Sequence, residues 1–166
     1  HHGAHARHHN LLPSVSAMVS AKGRLFTIID EGPISTRGVP DRWSLNARDA
    51  FNGLLLWKRP VANWGWRTWS EVEFAGHMRF KGPLQLERRL VAVGGVVYVT
   101  LGFDAPVVAL DAATGETLRE YEGTSNTSEI LCHKGRLILA RNAASDKPGK
   151  DILAIAADTG AILWER

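Results

Sequence analysis

The chain has 166 residues, 45% of them hydrophobic and 22% charged, with a formal net charge of +3. No apolar run approaches the roughly 18–20 residues that a membrane helix needs, and a single cysteine, Cys132, excludes an intrachain disulfide framework and any multi-thiolate zinc site. Residues 1–81 carry 11 Lys/Arg against 6 Asp/Glu and residues 82–166 carry 9 against 11, with no run of consecutive basic residues. Nucleic acid is therefore not an expected partner, because a clustered basic face is missing.

In chain order, the first feature is His-rich: His1, His2, His5, His8 and His9 fall within nine residues. Five imidazoles that close make a weak candidate for Ni, Cu or Zn, set against an exposed tail, a cloning remnant, or a native strand and loop that happens to be His-rich. The next feature, Ala17 to Ile29, is two apolar runs joined by Lys22-Gly23. It reads as a β-hairpin, because a tight turn between strands demands positive φ and glycine supplies it. Residues 31–42 read as a surface loop. Ala47 to Trp57 then contains Asp49, Asn52-Gly53 and Trp57, which reads as strand, tight turn and strand.

A tryptophan-rich stretch follows, with Trp64, Trp66 and Trp69. Trp66, Trp69, Glu73 and His77 are spaced i, i+3, i+7 and i+11, which fits a short amphipathic helix over 66–77. These tryptophans either form an interaction surface or lid, as aromatic hot spots do, or pack the excursion onto the rest of the fold. The packing reading is the preferred one.

The hairpin pattern then returns at Leu90 to Val99 around Gly94-Gly95 and at Ile130 to Leu139 around Lys134-Gly135. The strand–turn–strand pattern returns at Ala109 to Arg119, with Asp111, Thr114 and Gly115, and at Ala154 to Trp164, with Thr159, Gly160 and Trp164. In all three copies an Ala lies six positions before the Gly, and the Gly follows Asn or Thr. One unit is thus four antiparallel strands without a core helix, and such units repeated every 40–60 residues or so describe β-propeller blades. The turn glycines are separated by 62 and 45 positions; the excess falls within about 58–89, around the tryptophan-rich stretch. Residues 142–150 read as a second surface loop.

The physical role of the repeat residues is direct. Asp49 and Asp111 can accept hydrogen bonds from turn amides, the Asn/Thr-Gly pairs reverse the chain, and a Trp packed on a neighbouring blade contributes about 2–3 kcal/mol by burial. The third unit has Ala156 in place of the Asp, and the second has Arg119 in place of the Trp. Weaker docking is expected there, with Tyr121 as the candidate substitute.

The pattern Ala-x-Asp-x-x-Thr-Gly-x-x-x-Trp resembles the tryptophan-docking repeat of the pyrroloquinoline-quinone (PQQ)-like propellers, over about 15–166. That resemblance implies an all-β fold: a partial propeller of about three four-stranded blades, at 15–57, 86–122 and 123–166, after a His-rich segment at 1–14 and interrupted by the insertion at 58–85. It is shared by quinoprotein alcohol dehydrogenases and by a non-enzymatic propeller of an outer-membrane assembly lipoprotein, so it specifies fold more than activity. In the enzymes of the family PQQ lies with calcium, an Asp base and often a neighbouring-cysteine disulfide; here no residue matches the base or a calcium ligand.

The resulting expectation is a non-catalytic scaffold and binding surface in a larger bacterial protein, with no catalytic residue and no cofactor assigned to the segment. Its partners would be the remaining blades or domains of the parent chain, or a protein or small-molecule ligand. The alternative is part of a PQQ- and calcium-dependent dehydrogenase oxidising alcohols or sugars, its catalytic residues elsewhere. The resemblance implies a periplasmic or cell-envelope location. Three blades consume the whole length, so a fragment with exposed apolar faces at both ends of an arc is expected.

Overall fold

The computed structural model describes residues 15–32, 42–65, 68, 86–142 and 150–166. Among these, twelve strands form three four-stranded antiparallel sheets, each in simple sequence order. Blade 1 is β1 (Val15–Ala21), β2 (Arg24–Asp30), β3 (Trp43–Asp49) and β4 (Leu55–Pro60). Blade 2 opens with a short 3-10 helix, Leu86–Arg89, and continues as β5 (Leu90–Val93), β6 (Val96–Thr100), β7 (Val107–Asp111) and β8 (Thr117–Glu120). Blade 3 is β9 (Thr127–His133), β10 (Arg136–Asn142), β11 (Lys150–Ala156) and β12 (Ile162–Glu165). The helix expected over 66–77 and the loops at 33–41 and 143–149 lie outside the described residues.

Local chemistry explains the turns. In the first hairpins of blades 1 and 3 the two central residues both have positive φ, Lys22 (46°) with Gly23 (72°) and Lys134 (47°) with Gly135 (72°). That is the backbone whose twist matches the flanking strands. The second turn of every blade has a left-handed glycine, Gly53, Gly115 or Gly160, at 75–78°. A register shift recurs just before each of these turns, at Ala47/Arg48, Ala109/Leu110 and Ala154/Ile155. One extra residue there bends the outer strand at the same place in all three blades.

The pairing register sorts side chains into rows across each sheet. On one face run Val19–Phe26–Ala47–Trp57, Val91–Tyr98–Ala109–Arg119 and Leu131–Ile138–Ala154–Trp164. On the opposite face run Met18–Thr27–Asn46–Lys58, Leu90–Val99–Val108–Glu120 and Ile130–Leu139–Leu153–Glu165. The Phe26 face of blade 1 packs on the Val99 face of blade 2, with Phe26, Ile28, Leu45, Leu90, Val97, Val99 and Leu110 at its buried centre. The Tyr98 face of blade 2 packs on the Leu139 face of blade 3 around Val107, Ile130, Leu137, Leu139 and Ile155. Successive first strands touch, β1 to β5 and β5 to β9, so the blades form an arc.

The two outward faces both expose apolar side chains but differ in extent, that of blade 1 exposing Met18 (61%) in an otherwise polar row. Blade 3 presents Leu131 (52% exposed), Ile152 (40%) and Trp164 (45%). Blade 1 instead has Thr27, Asn46 and Arg48 where blade 2 has Val99, Val108 and Leu110. Its Asn46 amide donates to Glu31 Oε1 (3.1 Å), and Glu31 pairs with Lys58 (2.5 Å). Burial alone would raise the Glu31 carboxyl, but hydrogen bonds from Lys58, Asn46 and Ser44 outweigh it and hold the group below its ordinary value. Among the described residues no helix is long and apolar enough to cross a membrane.

Candidate functional site

The repeat residues meet at the contacts between blades. At the blade 1–2 contact, Asp111 Oδ1 accepts the amides of Ala113 (2.8 Å) and Thr114 (2.9 Å) and fixes the β7–β8 turn. Those bonds, with a smaller contribution from the Arg24 charge, hold the Asp111 carboxyl below its ordinary value. Trp57 lies flat over this turn. Its Nε1 donates to the Ala112 carbonyl (3.1 Å), and a Cβ added at Gly115 would meet the indole at 2.7 Å. Gly115 is required twice, for its positive φ and for the ring above it. Two residues further along β4, Arg59 donates to the Gly115 carbonyl (2.6 Å).

At the blade 2–3 contact the same two carriers are exchanged. Arg119 stands at the position of Trp57 and donates to the Thr159 carbonyl (3.2 Å). Tyr121 stands at the position of Arg59; its hydroxyl donates to the Ala157 carbonyl (2.5 Å) and its ring lies 3.4 Å from a Cβ placed on Gly160. Ala157 and Ala112 are both three residues before the turn glycine, so an aromatic donor reaches the same carbonyl in both contacts. Thr124 Oγ1 secures Tyr121, donating to the Tyr121 carbonyl (2.6 Å) and accepting the Val107 amide (2.8 Å). Burial pushes the Tyr121 phenol up to about 12 and the nearby Tyr98 phenol up as well.

The third copy of each part has no neighbour among the described residues. Asp49 Oδ1 accepts the amides of Phe51 and Asn52, repeating the Asp111 turn, yet nothing lies within 4 Å of a Cβ placed on Gly53. In blade 3, where Ala156 replaces the Asp, the turn keeps the Gly160 amide on the Ala156 carbonyl (2.8 Å), while Thr159 Oγ1 accepts the Ala161 amide (3.3 Å). Trp164 occupies the Trp57 position with Arg166 two residues on, the same pair as in blade 1. Sequence reading marked the Trp and Gly positions. It missed Arg59, and it took Arg119 only as a lost Trp and not as a donor to the next blade, although the recurring Trp-x-Arg, Arg-x-Tyr and Trp-x-Arg spacing is visible once the turns are aligned.

Of the insertion tryptophans, Trp64 is buried at 5% exposure: its Nε1 donates to Ser16 Oγ (3.2 Å) and its ring meets Phe103 edge-on at 6.2 Å. Arg89 lies over both rings, 4.4 Å from the Phe103 centroid and 5.7 Å from that of Trp64, and donates to the Phe103 carbonyl (2.6 Å). Desolvation lowers the Arg89 guanidinium to about 10 against the opposing charge of Asp104, a value that leaves it cationic at neutral pH. Trp66, Trp69 and the candidate ligands His1, His2, His5, His8 and His9 lie outside the described residues.

Two cavities border these contacts. One, about 670 Å³, opens beside the blade 1 outward face between Trp43, Lys58, Pro60 and Trp64. The other, about 640 Å³, lies between blades 2 and 3 at their turn edge, against Tyr98, Arg119, Lys134 and Asp158. Among the described residues no three His, Cys, Asp or Glu side chains converge as metal donors, and Cys132 is a lone, half-buried thiol whose pKa burial raises. Those residues do not supply the carboxylate donor set that a calcium-held quinone requires, so no step through PQQ follows from them.

No protein-family model and no curated protein sequence matches the chain. Solved structures do. The computationally designed Ika4 protein matches with a TM-score of 0.56 at 16% identity, over 92% of this chain and 71% of that one. A europium-containing methanol dehydrogenase matches with a TM-score of 0.53 at 14% identity, over 90% of this chain. The quinohemoprotein alcohol dehydrogenase of Comamonas testosteroni matches with a TM-score of 0.52 at 19% identity, also over 90%. The chain spans 24% and 20% of the lengths of these two dehydrogenases. By fold, then, the chain is an arc of three four-stranded propeller blades, similar to part of the quinoprotein alcohol dehydrogenase structures.

Proposed function

We propose that the chain is a non-catalytic propeller segment, a scaffold whose interaction surface is the outward face of blade 3. The observation that carries this reading is the row Leu131–Ile138–Ala154–Trp164. It occupies the same register as the rows that dock blade 1 on blade 2 and blade 2 on blade 3, yet Leu131 and Trp164 are about half exposed. The partner that suits it is a further blade of the parent protein with an aliphatic face and a glycine turn, as blade 3 itself offers to blade 2. The polar outward row of blade 1 is a poor match, which disfavours head-to-tail rings of identical copies.

Two measurements test the proposal. Leu131→Asp combined with Trp164→Asp is expected to remove the binding of a hydrophobic dye while leaving the melting temperature within a few degrees; unchanged dye binding overturns the assigned surface. Reconstitution with PQQ and calcium, read by the quinone spectrum and by alcohol-dependent dye reduction, is expected to give no turnover. Clear turnover would overturn the non-catalytic reading; the second reading, part of a dehydrogenase whose catalytic residues lie elsewhere, is the one that the fold likeness to the alcohol dehydrogenases supports.

A further inference from the structure

The cavity between blades 2 and 3 has a counterpart in the same molecule, the equivalent place between blades 1 and 2, where Trp57 lies on the Gly115 turn. There, Phe26 and Trp57 pack with ring centroids 5.8 Å apart, and the receiving blade has Gly94 and Ala113 at the corresponding sequence positions, with open space around a Cβ placed on Gly94. At the blade 2–3 contact the four corresponding residues are Tyr98, Arg119, Lys134 and Asp158. Every one of the four positions changes in the same sense, from apolar or absent side chain to polar or charged. The space is a groove open to solvent, about 640 Å³, with Leu118, Arg119, Lys134 and Asp158 exposed along it, a size that admits a small organic ligand.

Its polar groups are not used up by the fold. Tyr98 is only 8% exposed, lines the cavity, and its hydroxyl has no hydrogen-bond partner among the described residues. Unlike Tyr121, it serves no docking carbonyl. The Tyr98 hydroxyl oxygen is not among the buried polar atoms that lack a partner, so it is open to the cavity and free to meet a ligand acceptor. Arg119 gives one bond to the Thr159 carbonyl, and neither it nor Lys134 is in an ion pair among the described residues. Two cations against the single carboxylate of Asp158 leave a net positive cavity, while Val96 and Leu118 supply an apolar wall. The β9–β10 and β11–β12 turns that bound it lie at the opposite blade edge from the Trp43–Trp64 cavity, whose residues come from the β2–β3 connection and the segment after β4.

We propose that this interblade cavity binds a small organic carboxylate, its charge held by Lys134, Arg119 and the Tyr98 hydroxyl and its apolar body laid against Val96 and Leu118. The inference is independent of whether the blade 3 outward face docks a partner. Benzoate is the probe, with benzamide as its neutral counterpart and inorganic phosphate as an anion without an apolar body, each titrated into the 166-residue protein and followed by amide and side-chain NMR shifts. Benzoate is expected to shift Arg119, Gly135 and Asp158 in preference to Trp43 and Trp64, and to bind about tenfold more tightly than benzamide or phosphate.

Lys134→Asn, which keeps a residue suited to positive φ, and Tyr98→Phe are each expected to weaken benzoate about tenfold at an unchanged melting temperature. Arg119→Trp, which restores the blade 1 arrangement, is expected to block it. Equal binding of benzamide or phosphate, shifts centred on Trp43 and Trp64, or undiminished affinity in Lys134→Asn would each overturn the proposal.

Discussion

The two contacts between blades solve one problem with opposite placements of the same two parts. Blade 1 sets its aromatic residue at Trp57 and its arginine at Arg59; blade 2 sets its arginine at Arg119 and its aromatic at Tyr121. In each contact the aromatic donor reaches the carbonyl three residues before the turn glycine, and the arginine takes a carbonyl at the glycine or just before it. What is preserved is the capture of an otherwise exposed turn by two donors and a flat ring. The consequence of the exchange is spatial: the tryptophan at the first position covers the Gly115 turn with its indole, whereas beside the arginine at that position lies the space bordered by Tyr98, Lys134 and Asp158.

That comparison can be broken by substitution. The largest effect is expected at Gly115, where alanine suffers both the positive φ and an indole 2.7 Å from its Cβ. Gly115→Ala should cost about 3 kcal/mol in chemical denaturation, and an indistinguishable midpoint would mean that Trp57 is not held on the turn. Tyr121→Phe should cost about 1.5 kcal/mol by leaving the Ala157 carbonyl without its donor. Gly53→Ala meets no ring and should cost only the conformational penalty, about 1 kcal/mol. A loss there as large as that at Gly115 would show that something covers the blade 1 turn.

A smaller effect concerns pH. Tyr98 and Tyr121 are the only two tyrosines, and burial raises both. The native state therefore keeps its phenolic protons at a pH where the unfolded chain, titrating near 10, releases them. Their contribution to stability is full below about 10 and is lost as the pH rises toward the Tyr121 value of about 12. Tyrosinate absorbance of the folded protein should stay low at pH 10 and appear on adding denaturant; ordinary titration at 10 in the folded state would contradict the burial of both rings.

Sequence alone made the strands and turns legible because their causes are local: Lys-Gly and Asn/Thr-Gly pairs carry the positive φ, and Asp49 and Asp111 carry the turn bonds within three residues of themselves. Tyr121 could be named as a substitute for the missing Trp for the same reason, its short distance from Gly115. The polar row of blade 1 was not legible, since Thr27 and Asn46 become equivalents of Val99 and Val108 only when four strands are set in register. The cavity at Tyr98 was hidden for a stronger reason: it is made by residues from two blades, and its meaning lies in what Phe26, Trp57, Gly94 and Ala113 do at the other contact.

Trp57 and Trp164, identical in motif position, differ because, among the described residues, only the first has a blade that receives it. Alanine substitution at each, followed by denaturant unfolding, tests this most directly. Trp57→Ala should cost about 3–5 kcal/mol, as for other tryptophans removed from packed sites, while Trp164→Ala should cost less than about 1 kcal/mol. Equal losses at the two positions would show that blade 3 is already covered and would contradict the account.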